Sequence, residues 1–172
     1  MAEGEFTLVK QYLQAALARP SLELSHSTPA SNFDLYVILV DVAVWERDLP
    51  TLQKYTPLAA ELVARYEHKL YQAIIHRAQG VAHRLSSEYT DAETQLSQAL
   101  EGFQKLETRW QIGRTLYELA ELALARTDKA TARAYFSRAL VAFEEMEAVP
   151  DAARTRAVLA SLGPTSATAT LR

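Results

Sequence analysis

The chain contains no cysteine, and that absence removes disulfides, thiolate metal sites and cysteine nucleophiles together. A cytoplasmic address is the default for such a composition. Glycine is also scarce, five in 172 residues and scattered, so no glycine-rich phosphate loop can be assembled. The longest apolar run, Leu35 to Trp45, is interrupted by Asp41 and falls far short of the roughly 20 residues that cross a bilayer. Neither sign of charge dominates. A net charge of -3 and a pI near 5.8 supply no attraction toward nucleic acid or an anionic membrane. No HExxH and no nucleophile elbow occurs, and the carboxylates of Glu144 and Glu145 read as a solvated helix face, so the expectation is a protein without catalytic activity or cofactor.

What is present is helix-forming sequence. With 49% hydrophobic and 23% charged residues, and an abundance of Ala, Leu, Glu, Gln and Arg, the composition predicts an all-α fold in a single domain. The polar opening MAEGEF reads as well as a trimmed boundary within a larger protein as it does as a natural start. Apolar spacing predicts a first helix over Phe6 to Arg19, ended by Pro20, and a serine-rich loop follows to Ser31. Residues Asn32 to Asp48 carry many β-branched side chains, yet their length without a turn signal favours a helix over a strand. Pro57 lies inside the next helical pattern, Leu49 to Tyr66, and either kinks it or restarts it with Thr56 as cap. Helices are then expected over Leu70–Ser86, from a capping pair Thr90 and Glu93 to Leu106, over Trp110–Arg126 behind Thr108 and Gln111, from Asp128 to Met146, and from Pro150 to Leu162. Gly163 and Pro164 close the last, leaving a mobile tail over 163–172.

Ala59, Ala99 and Ala139 stand forty residues apart, and so do Val63, Phe103 and Phe143. Ala60, Leu100 and Leu140 form another such column, as do Tyr66, Leu106 and Met146. In the partner helices Val40, Gly80, Ala120 and Ala160 align, and small residues in one column imply close helix approach. Units of about 32–67, 70–107 and 110–147 result, with a capping helix over 150–162.

The small residues Gly80, Ala92 and Ala99, repeated as Ala120, Ala132 and Ala139, together with the large Leu96 and Phe136, resemble the tetratricopeptide repeat. The likeness covers Leu70 to Leu162 and extends more loosely over Asn32 to Tyr66, where Leu52 stands in for an alanine. The unit is longer than the family's ~34 residues, and the family's tryptophan and tyrosine signature is absent. In style the last units resemble the repeat regions at the C-terminal ends of large bacterial signalling and regulatory proteins. The resemblance implies a right-handed α-solenoid whose first helix in each hairpin lines a concave groove for a protein or peptide. Carried onto this chain, the groove positions are Asp34, Val37, Asp41, Val44 and Trp45; then Ile74, Arg77, Val81 and Arg84; then Arg114, Tyr117, Glu121 and Leu124. Their charges could equally pair with one another, Asp41 with Arg77 or Arg84 and Arg84 with Glu121.

The expected role is therefore a non-catalytic interaction scaffold. The alternative is a sensor domain that binds a small effector in a closed apolar cavity near Trp45, Ile74 and Tyr117. A homodimer formed through the first helix or the Leu35 to Trp45 segment is left open. His76 and His83 lie two helical turns apart, ~10 Å, with His68 in the preceding turn, which is too far for one metal ion, and no metal is expected. Trp110 reads as a wedge between repeats.

Overall fold

The computed structural model describes residues 8, 10–15 and 29–163, and among them it is all α-helix. Seven complete helices follow one another: α1 (Pro29–Glu46), α2 (Leu49–Tyr66), α3 (Lys69–Leu85), α4 (Tyr89–Lys105), α5 (Arg109–Ala125), α6 (Lys129–Glu145) and α7 (Val149–Ser161). Residues 10–15 are helical as well; the rest of the helix expected over Phe6–Arg19, the loop as far as residue 28 and the tail from 164 lie outside the described residues. The β-branched stretch is helical, as its length suggests, and begins at Pro29 rather than Asn32. The chain forms two compact units, Met1–Gly102 and Phe103–Arg172.

Six turns share one backbone device. Arg47, Glu67, Ser87, Glu107, Thr127 and Glu147, none of them glycine and each twenty residues from the next, adopt φ between 49° and 65°. In five of these turns the following residue donates its N–H to the carbonyl five positions back: Asp48 to Ala43, Glu88 to His83, Thr108 to Phe103, Asp128 to Ala123 and Ala148 to Phe143, at 2.8 to 3.1 Å. The left-handed residue itself donates three back, as Thr127 does to Leu124 at 2.9 Å. Together these bonds close the orphan carbonyls of a helix end. The carbonyl of the same following residue then accepts the first bond of the next helix, for example Ala132 N–H to Asp128 at 3.0 Å.

This device sets where each helix starts. Asp128 caps α6 as expected, accepting from Thr131 N–H at 3.0 Å, and Asp48 caps α2 in the same way at 3.1 Å. Thr90 does not cap: α4 opens at Tyr89, with the Glu88 carbonyl accepting from Ala92, because the turn fixes the start two residues earlier. Thr108 holds the cap position of α5 without a side-chain cap bond; its hydroxyl instead donates to the Phe103 carbonyl at 3.2 Å, which the turn brings within reach. Pro57 neither restarts α2 nor ends it. Gln53, whose carbonyl loses an N–H partner to the proline ring, is exposed to water, and Thr56 is buried within the helix.

Within the first unit α1 packs on α2 and α3, and α2 on α3. The Leu35 to Trp45 run is consumed by this packing: Val37, Leu39, Val40, Val42, Ala43 and Val44 are buried, and Ile38 alone exposes a large aliphatic side chain. On α4 the contact face is Ala92, Leu96, Ala99 and Phe103; on α6 it is Ala132, Phe136, Ala139 and Phe143, all without exposed surface. Spacings of four, three and four place each set along one face of its helix. Each buried phenylalanine contributes about 2 kcal/mol. Two of the aligned columns do not pack throughout. Ala160 is exposed, and so are Tyr66, Leu106 and Met146, which sit at helix ends where the turn swings the side chain off the core face.

Gly80 lets α3 approach α4: a Cβ there would lie 2.6 Å from Leu96 Cγ and 3.1 Å from the Ala92 carbonyl oxygen. Lys10 donates to both Glu46 and Asp48 at 2.7 Å, tying residues 10–15 to the α1–α2 turn. The hydrogen bonds it donates to Asp48 and then to Glu46 raise the Lys10 ammonium above its ordinary range. Burial alone would raise the Asp48 carboxyl, but the bonds from Lys10 and Thr51 outweigh it and leave the group lowered. Two glycine exchanges test these features with opposite signs. Thr127→Gly relieves a β-branched residue of a left-handed conformation and should raise stability by about 1 kcal/mol. Gly80→Ala should lower it by about 1–3 kcal/mol despite better helix propensity. Urea unfolding monitored by circular dichroism reads both.

Candidate functional site

The residues assigned to a concave groove divide by exposure. Ile74, Arg77, Val81, Arg114 and Tyr117 are buried, as are Val37 and Val44; Asp41, Trp45, Arg84, Glu121 and Leu124 are half-buried, and Asp34 is exposed. The buried members offer a partner little surface, and Arg77 and Val81 none. Periodicity misleads here because α5 is buried around its whole circumference from Gly113 to Ala120, so charges on it do not mark a solvated face.

Arg77 shows what such a charge does instead. Its side chain has 0% exposure, and Nη2 donates to Asp41 Oδ1 at 2.8 Å, one of the pairings anticipated from the sequence, while Nε has no hydrogen-bond partner. This is a buried cation of the first unit held by a carboxylate, and it serves α1–α3 packing. In the second unit Trp110 Nε1 donates to Asp151 Oδ2 at 3.1 Å, joining α5 to α7. Arg114 lies over the Trp110 ring at 4.9 Å, Arg154 over Tyr117 at 4.3 Å, and Tyr117 meets Phe136 edge-on at 5.0 Å. Arg114 and Tyr117 are thereby engaged inside that unit.

The histidines are likewise occupied. His76 Nδ1 is 2.7 Å from Gln95 Oε1, and His83 Nδ1 is 2.5 Å from Glu88 Oε2. The α3–α4 turn adds Asp91 to the latter pair, with ligand atoms all within 4.8 Å of one another, a grouping that helix spacing alone does not reveal. A cation there would have to displace the His83–Glu88 contact, and both acids are exposed to water.

The sequence reading missed a pocket in the first unit, of about 300 Å³, lined by Phe33, Asp34, Tyr66, His68 and Tyr71. It forms where three helix ends meet: Phe33 and Asp34 in the first half of α1, Tyr66 as the last residue of α2, His68 as the cap of α3 and Tyr71 in its first turn. His68 Nδ1 accepts the Tyr71 N–H at 3.4 Å, and the two rings stack at 4.1 Å. Phe33 packs against Tyr71 at 4.9 Å and Tyr66 at 5.5 Å. The Tyr71 hydroxyl donates to Asp34 Oδ1 at 2.7 Å. That bond, with burial second, raises the Tyr71 phenol above its ordinary range. Clustering of aromatics around one turn, Tyr66, His68 and Tyr71, was the available signal; their union with Phe33 depends on the fold.

Compared with known proteins, the sequence matches no family model and no curated protein. Among the described residues no helix is long and apolar enough to cross a membrane.

Two outcomes test these assignments. Asp41→Ala should cost about 3 kcal/mol in unfolding free energy, because it leaves Arg77 buried without its carboxylate, and Asp41→Leu combined with Arg77→Met should recover most of that loss. Because the Tyr71 value is raised in the folded state, its stabilising contribution is full below the ordinary phenol range and is lost as pH rises through the folded value. Asp34→Asn should bring the Tyr71 titration, followed by NMR of ring-labelled tyrosine, down toward the ordinary range; an unchanged titration would remove the hydrogen bond from the account.

Proposed function

We propose that this chain is a non-catalytic interaction module, a right-handed stack of tetratricopeptide-like hairpins with a forty-residue unit. Its setting would be the cytoplasm, as part of a larger bacterial signalling protein. One observation carries the reading: the left-handed residue recurs every twenty positions from Arg47 to Glu147, so two helices and two turns make one unit of the length seen in the sequence columns. A module of this kind works by display. Its helices hold side chains at fixed spacing, and a protein or peptide binds what they leave accessible. With the buried positions removed, the partner-facing candidates are Asp34, Asp41, Trp45 and Arg84 in the first unit and Glu121 and Leu124 in the second.

A peptide-display library panned against the purified chain tests this. Enriched peptides should share a motif, and Trp45→Ala or Arg84→Glu should weaken their binding by at least about tenfold, roughly 1.4 kcal/mol, with helicity unchanged. Enrichment no better than on a control surface, or binding indifferent to both variants, would refute the display role. A sensor role is supported by a separate observation, the pocket at Phe33, Asp34, Tyr66, His68 and Tyr71, which is open and does not include Trp45, Ile74 and Tyr117, where a closed cavity is expected, and whose volume is at the small end of ligand sites.

A further inference from the structure

We infer that the Phe33–Tyr71 pocket binds a small organic cation of the quaternary-ammonium class. The inference rests on the sensor reading and names its ligand. Four of the five lining residues are aromatic, Phe33, Tyr66, His68 and Tyr71, and the one acidic group among them is Asp34. Ring faces are electron-rich and attract a cation placed over them. Tyr66 keeps 47% of its surface open, so a ligand can reach its ring without unpacking the core. Phe33 is buried behind it, 5.5 Å away, and forms a floor.

The sign of charge follows from the same residues. Of the helix ends that meet here, the C-terminus of α2 and the N-terminus of α3 carry opposite partial charges, and the Asp34 carboxylate is the one full acidic charge among the lining residues. Asp34 is exposed, and its hydrogen bond from Tyr71 uses Oδ1 and leaves Oδ2 for a ligand. The Tyr71 bond also fixes the carboxylate in place beside the rings, so a bound cation meets both at once. The polarity of the lining chooses among cations. A primary ammonium brings three N–H donors and a guanidinium five, and those turned toward the Phe33 floor and the ring faces, away from Asp34 and the phenol oxygens, meet no acceptor. A quaternary ammonium has no N–H to satisfy and presents methyl groups that pack on aromatic faces.

Titration calorimetry with choline on the whole chain tests the proposal. The control ligand is the neutral dimethylbutanol isostere, in which carbon replaces the ammonium nitrogen. Choline should bind at one site, and the isostere at least about tenfold more weakly. Asp34→Asn and Tyr66→Leu should each weaken choline by about tenfold while leaving the circular dichroism spectrum unchanged. Equal binding of choline and isostere would overturn the cation assignment and keep a small-molecule pocket. No binding of either would overturn both the assignment and the sensor reading. Binding to phosphatidylcholine vesicles without binding of free choline would overturn the free-ligand form.

Discussion

The left-handed turn residue is the constraint on which the remaining architecture depends. A helix end leaves carbonyls without partners, and a single positive-φ residue folds the chain back so that its own N–H and the next one reach them. Here the residue that completes this closure also opens the following helix through its carbonyl, as Asp48, Glu88, Thr108, Asp128 and Ala148 do. Helix ends and helix starts are thus coupled at one residue. The phase of each helix, and with it the face it turns to its neighbour, is inherited from the turn before. That no glycine occupies these positions means that tertiary packing outweighs a local cost of order 1 kcal/mol at each.

Given that phase, two kinds of helix arise. On α4 and α6 one apolar face packs and the opposite face is solvated, the ordinary amphipathic arrangement. On α3 and α5 the burial spreads beyond one face and takes charged side chains with it: Arg77 is enclosed with Asp41 at 2.8 Å, and Arg114 lies on the Trp110 ring. A buried guanidinium is retained only where a carboxylate or a ring face replaces water, because removing either partner strands a charge in a poorly polarisable interior. The cost of burying these groups is offset within the same unit in both cases.

The pocket is a by-product of the same turns. Its five residues come from the first half of α1, the end of α2 and the start of α3. Tyr66 occupies a position whose equivalents, Leu106 and Met146, are also exposed. Beside Phe33 and Tyr71 that position becomes part of an open pocket with a carboxylate in it.

Much was legible in the linear order of residues. The helical class, the number and rough bounds of the helices from residue 32 onward, and the packing faces built on Ala92, Leu96, Ala99 and Ala132, Phe136, Ala139 follow from spacing, since a helix of period 3.6 has only one way to gather such residues on a side. The helix start at Thr90 was misread, and Thr108 holds its cap position without the expected side-chain bond, because side-chain capping signals are weaker than the backbone turn that overrides them. The accessibility of Arg77, Arg114 and Tyr117, and the meeting of Asp34 with Tyr71, were decided by tertiary structure alone. Periodicity describes one helix at a time, whereas burial on a second face and contact between distant helix ends are properties of how several helices are placed together.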